Sequence, residues 1–232
     1  MVISFCILSF KKNYLKQKKM AGILDLLNSD LGKQIISGVA GSTRNDTNKT
    51  GDVLAIALPV LMKAMQRNTA SPEEAEGLMS ALNKKHDGSI LDNLGGLFNG
   101  GVEESVKQDG AGILKHILGS KQEGVEQVLS QKSGIDASAV GSILKVAAPI
   151  LMGVLGKQKK EQNLSSSNDL SGLLGGFLGG NSASNDQSFL EKILDADGDG
   201  SIIDDVAGML LSGGGEKSSG LGGLLGGLFG KK

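Results

Sequence analysis

The chain has 232 residues, of which 39% are hydrophobic, with 36 Gly, no Trp and a net charge of -1. This length allows one or two modest domains whose core consists of aliphatic and Met side chains. The near-neutral charge, with no long basic block in the body of the chain, argues against nucleic acid as a partner. The single cysteine, Cys6, excludes an internal disulfide framework.

The first 19 residues differ from those that follow. Residues 1–10 are apolar and a lysine-rich stretch comes after them, whereas a secretory signal carries its positive charge before the apolar run. We therefore expect Met20 to be the natural start and residues 1–19 to be an upstream extension outside the fold. A short membrane-surface anchor with a basic flank is the alternative. With no uninterrupted run of ~18–20 apolar residues, we predict a cytoplasmic protein without a transmembrane span.

Two pairs of segments resemble each other. Residues 53–62 match residues 143–152 at a constant offset of 90, and both are apolar on nearly every side, which predicts a buried helix. Each segment carries a central proline that is expected to kink the helix or to divide it. Residues 86–92 match residues 198–204 at an offset of 112. These matches predict two divergent internal repeats, with an insertion in the second.

Further helices are predicted between these segments. Residues 102–118 and 122–133 have apolar residues at helical spacing, and Gly119 and Gly134 stand where C-caps belong. The expected helix starts carry N-capping residues: Ser71 before Pro72, and Asp136 or Ser138. Since no stretch alternates apolar and polar residues as a strand does, the predicted fold is an all-α, multi-helical bundle.

Glycine-rich segments interrupt and end the second half of the chain. Residues 157–186 are rich in Ser, Asn, Gly and Lys, which predicts a linker around a short apolar patch. Residues 213–232 form a Gly/Leu-rich tail in which Gly222, Gly226 and Gly230 are four residues apart. This spacing permits close helix packing, so the tail is interpreted either as flexible or as a segment that docks on a partner or a membrane surface. A helical hairpin is predicted between them, over residues 187–212.

An acidic loop in this hairpin carries the clearest chemical signal. Carboxylates at alternate positions followed by Gly200 suit a hard cation that takes several oxygens from one loop, and Ca²⁺ is its usual occupant. In the EF-hand pattern, position 12 would be Val206, where a bidentate Glu is expected. A shortened loop that ends at one of two later acids is therefore predicted; a solvated acidic turn is the alternative. The predicted calcium ligands are Asp195, Asp197, Asp199 and Ser201, with Asp204 or Asp205 completing the site.

The matching turn in the first half serves as an internal control. Asn83 and Lys85 stand there in place of the first two carboxylates of the loop, and a lysine opposes a bound cation. The metal site is therefore predicted for the second turn alone. Both turns also fit a helix N-cap with an acid three residues later: Ser89 with Asp92, and Ser201 with Asp204.

Four segments carry a family resemblance. They are residues 23–27 (ILDLL), 109–119 (DGAGILKHILG), 129–135 (LSQKSGI) and 147–153 (AAPILMG). Together they resemble the YidB-like family, a bacterial domain of unknown function (number 937), over about residues 20–156. The resemblance implies an all-helical domain without an established activity, and it brings no catalytic residues to this chain.

The remaining residues that could take part in catalysis do not indicate an enzyme. His86 and His116 are the only histidines, and neither has a neighbouring Cys or second His in the sequence. We find no nucleophile elbow and no phosphate-binding loop motif.

We therefore predict a non-enzymatic helical protein whose calcium-binding loop stabilises the C-terminal hairpin. The alternative is a surface-associated or self-assembling protein that acts without metal through its Gly/Leu-rich segments. Its partner would be an unknown protein or a second copy, with peripheral membrane contact through residues 213–232.

Overall fold

The structure, a computed structural model, describes residues 22–179. Within this range the fold is all-α and contains no strand, as the sequence predicts. The helices, in chain order, are α1 (Ile23–Asn28), α2 (Asp30–Thr43), α3 (Thr47–Asn68), α4 (Pro72–Lys84), α5 (Leu94–Phe98), α6 (Glu104–Leu118), α7 (Gln122–Ser133), α8 (Ala137–Glu161) and α9 (Ser167–Gly179). Short 3₁₀ turns at Ser89–Asn93 and Gly119–Lys121 precede α5 and α7.

Helix α8 forms the centre of the bundle. It contacts α2, α3, α4, α6 and α7, and its side chains are buried on nearly all sides between Val140 and Gly156. By length and composition α8 is the one helix of residues 22–179 that is long and apolar enough to cross a membrane, and 83% of its apolar window is buried inside the bundle. A count of uninterrupted apolar residues does not reveal this helix, because Gly, Ser and Lys interrupt the run. The other helices cover its apolar surface, as around a core helix.

The most extensive contact between two described helices, that of α6 with α8, depends on a close approach of their backbones. Gly110 of α6 lies against the carbonyl oxygen of Lys145 in α8, so closely that a Cβ atom at Gly110 would overlap that oxygen. Next to this contact Leu114 is fully buried. The apolar stripe of α6 therefore packs onto α8 at a separation that only glycine permits.

Both proline-containing segments are buried helices, as predicted. Pro59 lies inside α3 and Pro149 inside α8, and each helix continues through its proline as one element. The alternative in which the proline divides the helix is therefore wrong. A proline removes one backbone hydrogen bond, and the apolar residues on either side are buried in the same core, which stabilises both halves of each helix.

The predicted helix ends are largely confirmed. Gly119 and Gly134 are C-caps with φ of 56° and 64°, values that favour glycine. Ser71 precedes Pro72 at the start of α4, and Asp136 is the residue before α8. The helix predicted over residues 102–118 begins only at Glu104.

The predicted internal repeat is not confirmed. The two proline helices differ in length, with 22 residues in α3 and 25 in α8, and α8 alone occupies the centre. The second acidic turn, the predicted hairpin 187–212, the tail 213–232 and the extension 1–19 lie outside the described residues.

The structure corrects the predicted linker over its described part. Residues 157–161 complete α8, and α9 packs on α3 and α4. The buried side chains of α9 follow a helical period: Leu170, Leu173, Leu174 and Phe177. The glycine content suggested a linker, but these four apolar residues share one face of a helix and are covered by the core.

Reciprocal hydrogen bonds start α9. The backbone N–H of Asp169 donates to Ser166 Oγ at 3.1 Å, and the N–H of Ser166 donates to Asp169 Oδ2 at 3.0 Å. Hydrogen bonds to its carboxylate from the Ser166 side chain, and then from the backbone N–H groups of Ser166 and Ser165, hold the pKa of Asp169 below its usual value. The pair is the serine-to-acid capping arrangement found at helix starts, and it was visible in the sequence.

We predict that Gly110→Ala lowers the free energy of unfolding by about 1–3 kcal/mol, because the added methyl group must push α6 away from α8. Gly112→Ala is the matched control, since no atom lies within 4 Å of the added Cβ. It should raise stability by up to about 1 kcal/mol through helix propensity. Chemical denaturation of both variants measures the difference; equal effects would contradict the backbone contact.

Candidate functional site

The predicted calcium ligands between Asp195 and Asp205 lie outside the described residues. Within residues 22–179 no group of three or more His, Cys, Asp or Glu side chains is arranged to hold a metal ion. Polar and charged side chains cluster at two other places in the described fold. One is the first acidic turn, between α4 and α5, and the other is a cationic cleft between α2, α6 and α8.

The first acidic turn has a sharp backbone. Gly88 adopts a φ of 101° and precedes the 3₁₀ turn, so it, and not Ser89 as predicted, is the capping residue. Asp87 stabilises the turn instead, because its Oδ1 accepts the N–H of Ser89 at 3.1 Å. An Asp side chain that binds the backbone two residues on is a common turn device, and it leaves the second carboxylate oxygen of Asp87 open to another partner.

Two lysines at the end of α8 bind one oxygen of this turn and one at the end of α4. Lys160 Nζ lies 2.6 Å from Asp87 Oδ2, and Lys159 Nζ donates to Asn83 Oδ1 at 2.6 Å. The hydrogen bond from Lys160, with those from Ser89, holds the pKa of Asp87 well below its usual range. Cationic side chains thus bridge the turn to the central helix.

A glycine lets the turn come close to α8. Gly156 lies directly under the carbonyl oxygen of His86, where a Cβ atom would overlap that oxygen. His86 itself is only 7% exposed, and its Nε2 lies 3.6 Å from Asp109 Oδ2 of α6. Burial lowers the pKa of His86, the Asp109 carboxylate opposes that lowering, and Lys85 adds to it.

The second histidine lies on the surface. The side chain of His116 in α6 is 56% exposed, and its Nε2 is 2.9 Å from Glu74 Oε2 of α4. Each histidine therefore has a carboxylate partner that sequence reasoning missed. Each histidine is far from its carboxylate partner in the chain, and the two come together only when α6 packs on its neighbours. No local sequence pattern therefore predicts these pairs.

The cationic cleft has a volume of about 350 Å³ and is half open to solvent. Arg44 ends α2, Lys107 lies in the second turn of α6, and Lys145 projects from α8. Glu104 is the one acid among the residues that line it, and it pairs with Lys107 at 3.4 Å. The cleft therefore has an excess of positive charge.

The hydroxyl groups at the cleft are already used as donors. Ser42 and Thr43 donate to the carbonyl of Val39 at 2.9 Å and 2.7 Å, and Ser142 donates to the carbonyl of Ser138 at 3.0 Å. Donors for a ligand must therefore come from the three cationic side chains and from Gln108, which also lines the cleft.

The fold defines an all-helical protein over the residues that the structure describes. Residues 25–158 match the model of a family of bacterial proteins of unknown function (DUF937). The match covers more than half of the chain, and the chain belongs to this family, as the sequence resemblance indicated. Neither the search of curated proteins nor that of solved structures found a match.

We predict that acidification destabilises the protein through His86. A histidine whose pKa is lowered in the folded state takes up its proton more readily when unfolded, so stability falls as the pH drops through about 6.5. The measurement is the melting temperature between pH 8 and pH 5 for the wild type, His86→Gln and, as a control, the exposed-site variant His116→Gln. His86→Gln should flatten the curve below pH 6.5; an unchanged slope would contradict the prediction.

Proposed function

We propose that the protein is a non-enzymatic helical binding protein whose acidic loop, residues 195–205, binds Ca²⁺ and stabilises the C-terminal hairpin 187–212. The observation that supports this proposal is the way the first acidic turn uses its side-chain oxygens. They bind cationic groups, although the turn lacks most of the carboxylates of its second-half counterpart.

Aligned at the offset of 112 residues, the segment that ends α4 and forms the first turn matches the acidic loop in sequence. Asn83 corresponds to Asp195, and Asp87 to Asp199, which are positions 1 and 5 of a calcium loop. In the first turn, oxygens at both positions accept from lysine ammonium groups, each at 2.6 Å. The glycine of position 6, Gly88, has the positive φ that a sharp loop of this kind requires.

The chemistry of the second turn favours a divalent cation over a lysine. Positions 1, 3 and 5 of the second turn hold Asp195, Asp197 and Asp199, and Asp204 and Asp205 follow within six residues. Five carboxylates repel one another, and a single ammonium group compensates only one charge. Ca²⁺ compensates two and takes six to eight oxygens. Because the bidentate Glu of position 12 is missing, we expect a dissociation constant of ~10⁻⁴ to 10⁻³ M, as in weak extracellular-type sites.

A calcium titration by calorimetry tests the proposal on the full chain. Asp197→Ala should abolish the binding heat, whereas Asp87→Ala, in the lysine-bound turn, should leave it unchanged. At a calcium concentration 100 times the dissociation constant, binding to the folded state alone adds ~2.7 kcal/mol of stability to the unit that contains the loop.

Hydrogen exchange locates the effect. Protection with millimolar Ca²⁺, relative to a chelator, should increase across residues 195–205 and not across residues 83–93. The absence of both binding heat and a change in protection would reduce the loop to a solvated acidic turn.

A second candidate function, self-association through the Gly/Leu-rich tail, is favoured by the packing of α9. Residues 170–179 (LSGLLGGFLG) correspond to residues 221–230 (LGGLLGGLFG) of the tail without a gap. In α9 this pattern seats its apolar side chains on α3 and α4. A segment with the same apolar positions suits an apolar protein surface of the same kind, and the partner that this candidate function proposes is a second copy of the chain.

Native mass measurement with and without residues 213–232 tests this candidate. A dimer or larger assembly of the full chain that becomes a monomer without the tail would support it. The same mass for both forms would exclude self-association through the tail. Added vesicles that retain only the full chain would indicate a membrane surface as the partner instead.

A further inference from the structure

We propose that the cationic cleft between α2, α6 and α8 binds a small molecule through a phosphate group. The cleft belongs to the family-matched part of the chain and is separate from the acidic turn. Its volume of about 350 Å³ lies in the range of small-molecule sites. Three helices contribute to it, so the packing of the core fixes the backbone positions from which its side chains extend.

The cations in the cleft are incompletely neutralised. Lys107 is paired with Glu104 at 3.4 Å, but among the described residues the side chains of Arg44 and Lys145 have no ion-pair or hydrogen-bond partner. The net charge of these four side chains is about twice that of a proton, which a phosphate monoester with a charge of −1.5 to −2 balances. A single carboxylate would leave half of this charge uncompensated.

Lys145 is positioned by the main helix contact. Its carbonyl oxygen lies against Gly110, and its side chain is half-buried. An ammonium group that reaches into a cleft from a partly buried side chain is less screened by solvent than one on an open surface, so its attraction for an anion is stronger. The start of α6 at Glu104 adds the partial positive charge of a helix N-terminus to the same side of the cleft.

Arg44 occupies a backbone position that glycine fills at lower cost. It caps α2 with φ 57° and ψ 39°, a left-handed conformation that costs a non-glycine residue roughly 1–2 kcal/mol. Here the C-cap geometry itself gives arginine no advantage over glycine. A guanidinium group at this position contributes a fork of donors that matches phosphate oxygens, which gives the side chain a use in the cleft.

The remaining lining suits the organic part of a phosphate ester. Ala111 and Val146 provide an apolar surface between the cations, and the Gln108 amide adds a neutral donor. Because the hydroxyls of Ser42, Thr43 and Ser142 donate to backbone carbonyls, the Arg44, Lys107 and Lys145 side chains supply the charged contacts.

Calorimetric titration of the full chain with inorganic phosphate and with glycerol phosphate tests the proposal, with acetate as the control anion. We expect both phosphates to bind and acetate to bind at least tenfold more weakly. Tighter binding of glycerol phosphate would assign an ester as the ligand; tighter binding of inorganic phosphate would assign the free ion. Binding of neither phosphate, or equal binding of acetate, would overturn the proposal.

Four variants locate the binding in the cleft. Arg44→Gly, which suits the left-handed backbone, and Lys145→Gln should each weaken phosphate binding about tenfold, the loss of one charge-assisted contact. Glu104→Gln removes the competing carboxylate and should strengthen binding severalfold. Lys115→Gln, an exposed change on α6 outside the cleft, should have no effect.

The gain of affinity in Glu104→Gln keeps the test independent of folding defects, because a destabilised variant does not bind more tightly. Melting curves of Arg44→Gly should show stability equal to or above that of the wild type. Equal phosphate affinity in all four variants would place the binding elsewhere and overturn the assignment to this cleft.

Discussion

The close approach of neighbouring backbones to α8 controls the geometry of the described fold. Gly110 allows α6 to contact the carbonyl oxygen of Lys145 in α8. Gly156 of α8 allows the carbonyl oxygen of His86, in the first acidic turn, to contact the helix. Between them Gly153 accepts the side chain of Ile90 from the 3₁₀ turn. A methyl group at any of these positions meets atoms that have little freedom to move. The glycines therefore fix where α6 and the acidic turn lie along the central helix.

Both polar sites follow from this packing. Lys145 reaches the cleft because the backbone beside it is held against α6, which also carries Lys107. Farther along the helix, Lys159 and Lys160 reach Asn83 and Asp87 because Gly156 brings the turn within hydrogen-bond distance. One apolar helix thus supplies the core with buried side chains and both sites with ammonium groups. Snorkelling lysines on an otherwise buried helix combine these roles without burying charge.

Local signals in the sequence were sufficient for most helices. Ser71 with Pro72, Gly119 and Gly134 mark helix ends by mechanisms that act within a few residues, and the structure has them where expected. The sequence analysis predicts a linker in place of α9, because the high Gly and Ser content was given more weight than the helical spacing of the apolar residues. The Ser166 and Asp169 capping pair, followed by apolar residues at helical spacing, would have revealed it.

The cleft could not be predicted in the same way. Arg44, Lys107 and Lys145 are separated by dozens of residues, and no motif links them. They meet only because three helices pack around the Gly110 contact, which depends on long-range geometry. His86 and Asp109 illustrate the same limit: the sequence shows two polar residues, and only the packing of α6 against the turn pairs the buried histidine with a partly exposed carboxylate.

Along α8, the lysine of the proposed phosphate cleft and the lysines that bind the turn lie too far apart for direct electrostatic coupling. Lys145 and Lys159 are separated along one helix by about 21 Å, at a rise of 1.5 Å per residue. This exceeds the ~8 Å screening length at physiological salt. Coupling would instead require a structural element with two alternative packings, and the glycine contacts on α8 oppose such movement because they leave no space between the backbones. An anion in the cleft therefore adds stability to the helical core with little direct effect on Lys159 and Lys160.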